Sequence, residues 1–243
     1  MMIHEQHLSS RGLLDCHTHS HEVNGLAIRS LTYEEWSGGA TIGEGQLYSI
    51  GLHPWSLPLA DRLTDLIDQM RSLLASTPQI VAVGECGIDK VRSNASLAEQ
   101  QTWLEAQLRL ACQLHRPILL HTVRAWSETI EIRRELAQEF DQLPPMVLHG
   151  FRAKSEVAQM MLSQGFALSF GRHYDPAALR LAHEANALLV ETDELPQGLT
   201  HREALAETYT HLAEALAIIP EALAERVAAT PFWQQVERLG SLR

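Results

Sequence analysis

Two textures of hydrophobic positions alternate along the chain. Short, nearly continuous apolar runs occupy 13–17, 46–52, 80–85, 117–121, 146–149, 166–170 and 187–191, each bounded by polar or turn residues. That is the pattern of strands buried on both faces, as in a parallel sheet. Between them apolar residues recur at three-and-four spacing. Leu63, Leu66, Ile67, Met70, Leu73 and Leu74 mark a helix packed by one face. The helices are punctuated by local chemistry. Asp175 before Pro176 predicts an N-cap with proline in the first helical position, and Gly165 predicts a stop after a helix over 157–163. Thr200 and Glu203 have capping-box spacing ahead of a stripe formed by Leu205, Tyr209, Leu212, Leu216 and Ile219.

Strand and helix in strict alternation imply an α/β fold with a parallel sheet. Seven such units and a helical tail predict a distorted (β/α)8 TIM barrel with seven clear strands and an eighth that is weak or absent, in one domain over 1–243. The alternative, an open doubly wound sheet, would carry a glycine-rich phosphate loop after its first strand, and none is present. Composition narrows the function. No apolar run nears the ~18 residues of a membrane span. The 30 acidic against 19 basic side chains, a net charge of −11, disfavour binding to long duplex DNA. The start of the chain lacks the basic and apolar segments of a secretory signal, which sets the expectation of a cytoplasmic protein. Three cysteines, Cys16, Cys86 and Cys112, with no CxxC pair, fit buried thiols in a reducing compartment. Cys16 and Cys86, each beside a strand-end polar residue, are expected to face the helical layer by alternation.

The chemistry is concentrated where strands end. The first run closes on Asp15-Cys16-His17-Thr18-His19, the third on Glu85, the fourth on His121, the fifth on His149, and Asp193 follows the seventh. In a barrel all strand C-termini open onto one face, so these residues converge. Any one of them alone reads as a satisfied core histidine or a salt-bridged strand end. Together they imply a metal site, because burying so many ionisable groups without a cation is costly. His53, in the turn Gly51-Leu52-His53-Pro54, is expected at the pocket mouth; His4, His7, His183, His201 and His211, at the terminus or on helices, are expected in solvent.

The blocks DxHxH (15–19), GxHP (51–54), GECGID (84–89), PILLHTVRAW (117–126), HGFRAK (149–154) and ETDE (191–194) resemble, in order and spacing, the TatD-like metal-dependent deoxyribonucleases and hydrolases. The resemblance implies two divalent cations, one held by His17, His19, Glu85 and Asp193, the other by Glu85, His121 and His149. The chain departs from the family pattern at Thr122-Val123-Arg124, at Glu194-Leu195-Pro196 and at Thr230-Pro231-Phe232.

Imidazole and carboxylate donors suit Zn²⁺ or Mn²⁺, and Mg²⁺ less well. On this reading Glu85 bridges the ions, Asp193 is the general base, and Asp15 supports the histidines from behind. Arg124, Arg152, Lys154 and His53 are the expected substrate-binding residues, with Lys90 and Arg92 further cations at the same mouth. The expected reaction is hydrolysis of short phosphodiesters or single-stranded DNA ends. The rivals are an amidohydrolase-type cleavage of a C–N or ester bond in a small molecule and a metal-binding scaffold without activity. Amidohydrolases often bridge their metals with a modified lysine, and the chain has only Lys90 and Lys154, both in loops.

Overall fold

The computed structural model describes residues 12–23 and 26–239; His4 and His7 lie outside them. Eight parallel strands follow one another around a barrel in sequence order: β1 (Leu14–Thr18), β2 (Leu26–Leu31), β3 (Leu47–Ile50), β4 (Ile80–Asp89), β5 (Ile118–Val123), β6 (Met146–Leu148), β7 (Ala167–Phe170) and β8 (Leu188–Val190). Around them run α1 (Tyr33–Ser37), α2 (Leu63–Ser76), α3 (Leu97–Gln113), α4 (Trp126–Glu139), α5 (Ser155–Ser163), α6 (Pro176–Glu184), α7 (His201–Ala215), α8 (Pro220–Ala228) and α9 (Pro231–Arg238). The architecture is the expected TIM barrel. The strand absent from the expected set is β2, second in order rather than last. Its sequence LAIRSL carries Arg29 and Ser30 in mid-strand, which breaks the apolar run; Arg29 pairs with Glu35 of α1, while Ser30 turns into a buried polar cluster.

The seam of the barrel is narrow. β1 meets β8 through one isolated bridge, Thr18 to Asp193, flanked by His19 N donating to Asp193 O (3.0 Å) and Asp193 N donating to His17 O (3.1 Å). Lower down, the buried Tyr209 of α7 takes the place of a strand partner: its hydroxyl accepts from Leu14 N (3.3 Å) and donates to Leu14 O (2.9 Å). Backbone groups left without a partner here would cost about 1–3 kcal/mol each.

Asp175 caps α6 by accepting from Ala177 N and Ala178 N, and Thr200 with Glu203 forms the capping box of α7. The stripe of α7 is shorter than its spacing predicts: Leu205, Tyr209 and Leu212 are buried, but the helix ends at Ala215 and Ile219 is 62% exposed, because Pro220 starts a new helix. The three thiols are free and buried. Cys16 does not face the helices. Its Sγ lies 3.0 Å from Ser169 Oγ on β7, and since β8 stands between those strands the contact runs through the barrel interior. The irregular register between Asp15 and Thr18 upsets the simple alternation that predicts otherwise.

Candidate functional site

β4 runs between neighbours that approach it closely. A side chain at Gly51 would strike the Glu85 carbonyl, and one at Gly87 the His121 carbonyl, so glycine at both positions lets the strands around Glu85 close in. His17 and His19 arrive from the end of β1, Glu85 and Asp89 from β4, His121 from β5, His149 from just past β6, and Glu191 and Asp193 from just past β8. All open at the C-terminal mouth, and the structure brings the six residues expected as ligands together.

Glu85 sits at the centre with only 7% exposure, and its two oxygens face different sets. Oε2 is 2.9 Å from His19 Nε2 and 3.5 Å from His17 Nε2, both of which also lie within 3.9 Å of Asp193 Oδ1. Oε1 is 2.7 Å from His149 Nε2 and 3.7 Å from both His121 Nδ1 and His53 Nε2. Burial alone would raise the Glu85 pKa, but His149 and His17 hold it well below the usual carboxylate range. Burial likewise opposes the charged form of His149, yet Glu85 pushes its pKa up to about 9. Asp193, against its own burial, is held at about 2 by His17.

The donors fit divalent cations. His17, His19 and Glu85 offer ligand atoms within 4.8 Å of one another, as do His17, His149 and Asp193, and also His53, Glu85 and His121. His17 Nε2 is fully buried without a hydrogen-bond partner, a costly arrangement that a cation between Glu85 and Asp193 relieves. Imidazole nitrogens and carboxylate oxygens without thiolate form a borderline-hard set.

Behind this set lies a polar layer that spacing did not reveal. His17 Nδ1 is 2.8 Å from Ser30 Oγ, itself 2.7 Å from Ser49 Oγ, all three residues being buried. That chain holds the ring so that Nε2 faces the carboxylates. Asp15 meets His17 at its backbone rather than at its ring. It accepts from the backbone N–H of His17 (3.1 Å), from Thr192 N (3.2 Å) and Thr192 Oγ1 (2.7 Å), and pairs with His201 Nε2 (2.9 Å). His201, expected in solvent, is buried at the first position of α7. This network grips the residue before Asp193, whose φ of 53° is unusual for a non-glycine side chain.

Asp89, Glu191 and Trp55 also escaped the sequence pattern. Asp89 accepts from Trp55 Nε1 (2.6 Å) and from the amides of Val91 and Arg92, and lies 3.3 Å from His121 Nε2. Burial would raise its pKa; these donors hold it at about 2. Buried Glu191 accepts from Gly150 N (2.6 Å), faces His149 Nδ1 at 4.0 Å, and has its pKa raised by burial. Only its place at a strand end hinted at a role.

The mouth opens into a cavity of about 810 Å³ lined by His53, Arg124 and Arg152 among others, with a side groove of about 540 Å³ that shares Arg152 and Asp193. Burial lowers the His53 pKa to about 3, so the ring is neutral; its Nδ1 accepts from Trp55 N (3.2 Å), which leaves the proton on Nε2 facing Glu85. Lys154 does not reach the cavity: it stands at the N-cap of α5, where its carbonyl accepts from Val157 N and Ala158 N and its side chain is exposed. Lys90 pairs with Glu128, and Arg92 lies over the Trp55 ring.

The chain also matches known proteins. The family model described as TatD related DNase covers residues 14–238. The 3'-5' ssDNA/RNA exonuclease TatD of Yersinia pseudotuberculosis is 32% identical over 164 residues, 63% of this chain and 61% of the relative. The protein of the same name from Cronobacter turicensis is 34% identical over 169 residues, 63% of this chain and 60% of the relative. The match thus spans about six-tenths of the length of these curated relatives. The crystal structure of YJJV, a TatD homologue from Escherichia coli K12, superposes with a TM-score of 0.69 at 22% identity, covering 95% of this chain and 97% of that one, which establishes a common fold. Among the described residues no helix is long and apolar enough to cross a membrane. A barrel with candidate ligand groups at its mouth, matched by one family model from β1 to α9, belongs to the TatD-related DNase family.

Proposed function

We propose that this chain is a metal-dependent phosphodiesterase that hydrolyses short phosphodiesters or single-stranded DNA ends, with two divalent cations, Zn²⁺, Mn²⁺ or Mg²⁺, at the barrel mouth. The observation that carries the reading is the division of ligands about Glu85, one oxygen toward His17 and His19 and the other toward His121 and His149. The relatives named as ssDNA/RNA exonucleases support the substrate class. Neither lysine competes for the bridging position, since Lys90 is paired outward and Lys154 stands outside the cavity. Three buried free thiols support a cytoplasmic setting.

When bound, such cations lower the pKa of water, polarise a phosphoryl oxygen and stabilise the leaving oxygen. This chain's residues supply the rest. Asp193, kept ionised, accepts the proton of the attacking water at its carboxylate. Neutral His53 donates from Nε2 to a non-bridging phosphoryl oxygen. Arg152 and Arg124, exposed at the cavity mouth, hold the phosphate flank by charge-assisted hydrogen bonds. Net charge admits a few phosphates there rather than a long duplex.

The test is a panel of single-stranded oligonucleotides, a bis-aryl phosphodiester, an aryl phosphomonoester and an amide, each with Mg²⁺, Mn²⁺ and Zn²⁺. Diester hydrolysis is expected to dominate. Amide turnover without diester turnover would overturn the reading, and no turnover with tight metal binding would make the chain a scaffold.

A further inference from the structure

The cavity wall next to His121 holds an indole that the reaction itself does not use. Trp55 is 40% exposed, yet its ring is fixed: Nε1 donates to Asp89 Oδ2 (2.6 Å), and the rings of His53 and His121 meet it nearly perpendicularly, with centroids 4.6 and 5.3 Å away. The Arg92 guanidinium lies 3.7 Å from its centroid, and the backbone N–H of Arg92 is tied to the same Asp89. Val91, 57% exposed, continues the apolar rim. An exposed indole on a core-facing loop is normally turned inward to bury its large apolar area. Here four neighbours, Asp89, His53, His121 and Arg92, hold it at the cavity wall, with the guanidinium over the ring.

We propose that Trp55, with Arg92, is a stacking platform for a nucleobase, and that it selects nucleotides over other phosphate esters. This rests on the phosphodiesterase reading above. Trp55 touches the two imidazoles that face Glu85 Oε1, so a phosphate held there places the base of its own nucleotide, one sugar away, against the indole. Stacking is tolerant of sequence because every base has a π-face, and a guanidinium on the ring adds cation–π attraction while keeping its charge for a neighbouring phosphate. A rigid ring loses little freedom when the ligand arrives. The platform therefore discriminates base from no base, and hardly one base from another.

The experiment is calorimetric binding of deoxyadenosine 5'-monophosphate, thymidine 5'-monophosphate and 2-deoxyribose 5-phosphate to Mn²⁺-loaded protein. Both nucleotides are expected to bind about ten- to a hundredfold tighter than the sugar phosphate and within a few-fold of each other. Trp55→Ala should bring that ratio close to one, while Trp55→Phe, which keeps a ring but loses the N–H to Asp89, should retain most of it. Equal binding of nucleotide and sugar phosphate by the unsubstituted protein overturns the proposal, a result that needs no variant to fold. Proportional weakening of all three ligands in Trp55→Ala also overturns it, since that is what a mere support for Asp89 would do. Oligonucleotide hydrolysis in the same preparations separates the two readings. A base preference without cleavage sinks the nuclease and leaves the platform; cleavage without a base preference sinks the platform alone.

Discussion

The two sides of Glu85 are built by different means. On the Oε2 side His17 is fully buried, its ring held by Ser30 and Ser49 and its backbone by Asp15, which also ties down Thr192 and reaches His201. On the Oε1 side His53, His121 and Trp55 meet ring against ring at the edge of the cavity, and the nearest carboxylate, Asp89, is shared between a loop, an indole and an imidazole. Directional bonds among buried groups set positions to a fraction of an ångström. Ring contacts instead define a surface against which a ligand can lie. On the proposed function the first side holds a cation only, whereas the second both holds one, through His121 and His149, and meets the substrate.

Removing what the sides share is the largest break. Glu85→Gln takes away the charge toward which both sets of imidazoles point and leaves His149 buried without its counter-ion. Calorimetric titration should show affinity for divalent ions falling by more than the ~100-fold typical of an outer hydrogen-bond partner, with activity lost alongside. Two ions bound at unaltered affinity would refute the bridging role. Next in size is Asp193→Asn, expected to lower kcat by about 10²- to 10⁴-fold in metal-saturated protein while the melting curve stays cooperative. Full activity in that variant would withdraw the base assignment.

The sides themselves separate at smaller effects. On the bonded side, Ser30→Ala or Asp15→Asn should weaken ion binding by ~10- to 100-fold, read by competition with a metal-sensitive dye. On the open side, Arg152→Ala should raise KM for phosphodiesters by about tenfold, as one charge-assisted bond is worth, with bound metal unaltered by elemental analysis. An equal loss on an uncharged amide would instead make Arg152 structural. If Ser30→Ala acted on KM and Arg152→Ala on metal content, the division of labour would be reversed.

The smallest effect is a dependence on pH. Since Glu85 raises the His149 pKa to about 9, this imidazolium contributes stability to the ion-free protein that is fully present below its unfolded value of ~6.5 and is lost as pH rises through about 9. Ligation needs the unprotonated ring, so bound ions stabilise more as pH rises. Melting temperatures in chelator should fall by a few degrees between about pH 6 and pH 9, and the gap to Mn²⁺-loaded protein should widen. Parallel curves would take His149 out of the ion site.

What the sequence made legible was whatever sits at a strand end in a continuous apolar run. Glu85, His121 and His149 stand out because each terminates such a run, and the barrel then brings them together. β2 stayed hidden because its Arg29 and Ser30 serve an ion pair and a buried polar chain, both with partners on other elements. The role of His201 is hidden for a related reason. A histidine opening a helix carries no local sign that it bonds to a carboxylate 186 positions away. Asp89 lies within a recognised block and on the same strand as Glu85, but the apolar run that marks Glu85 stops short of it, and Lys154 follows His149 closely in sequence while standing at a helix start outside the cavity. Residues that act through the backbone or through a neighbour leave little trace in hydrophobic periodicity.

The seam between β1 and β8 ties the closure of the barrel to the assembly of its mouth. Three of the residues that join first strand to last, His17, His19 and Asp193, also belong to the candidate ligand groups of the mouth. Opening the ring at this joint would part Asp193 from His17 and His19 without breaking the pairing of β4 with β5 or of β5 with β6. On the proposed function, a cation shared by His17 and Asp193 would also clasp first strand to last, so that removing it with a chelator would loosen the joint at the same time as it emptied the mouth.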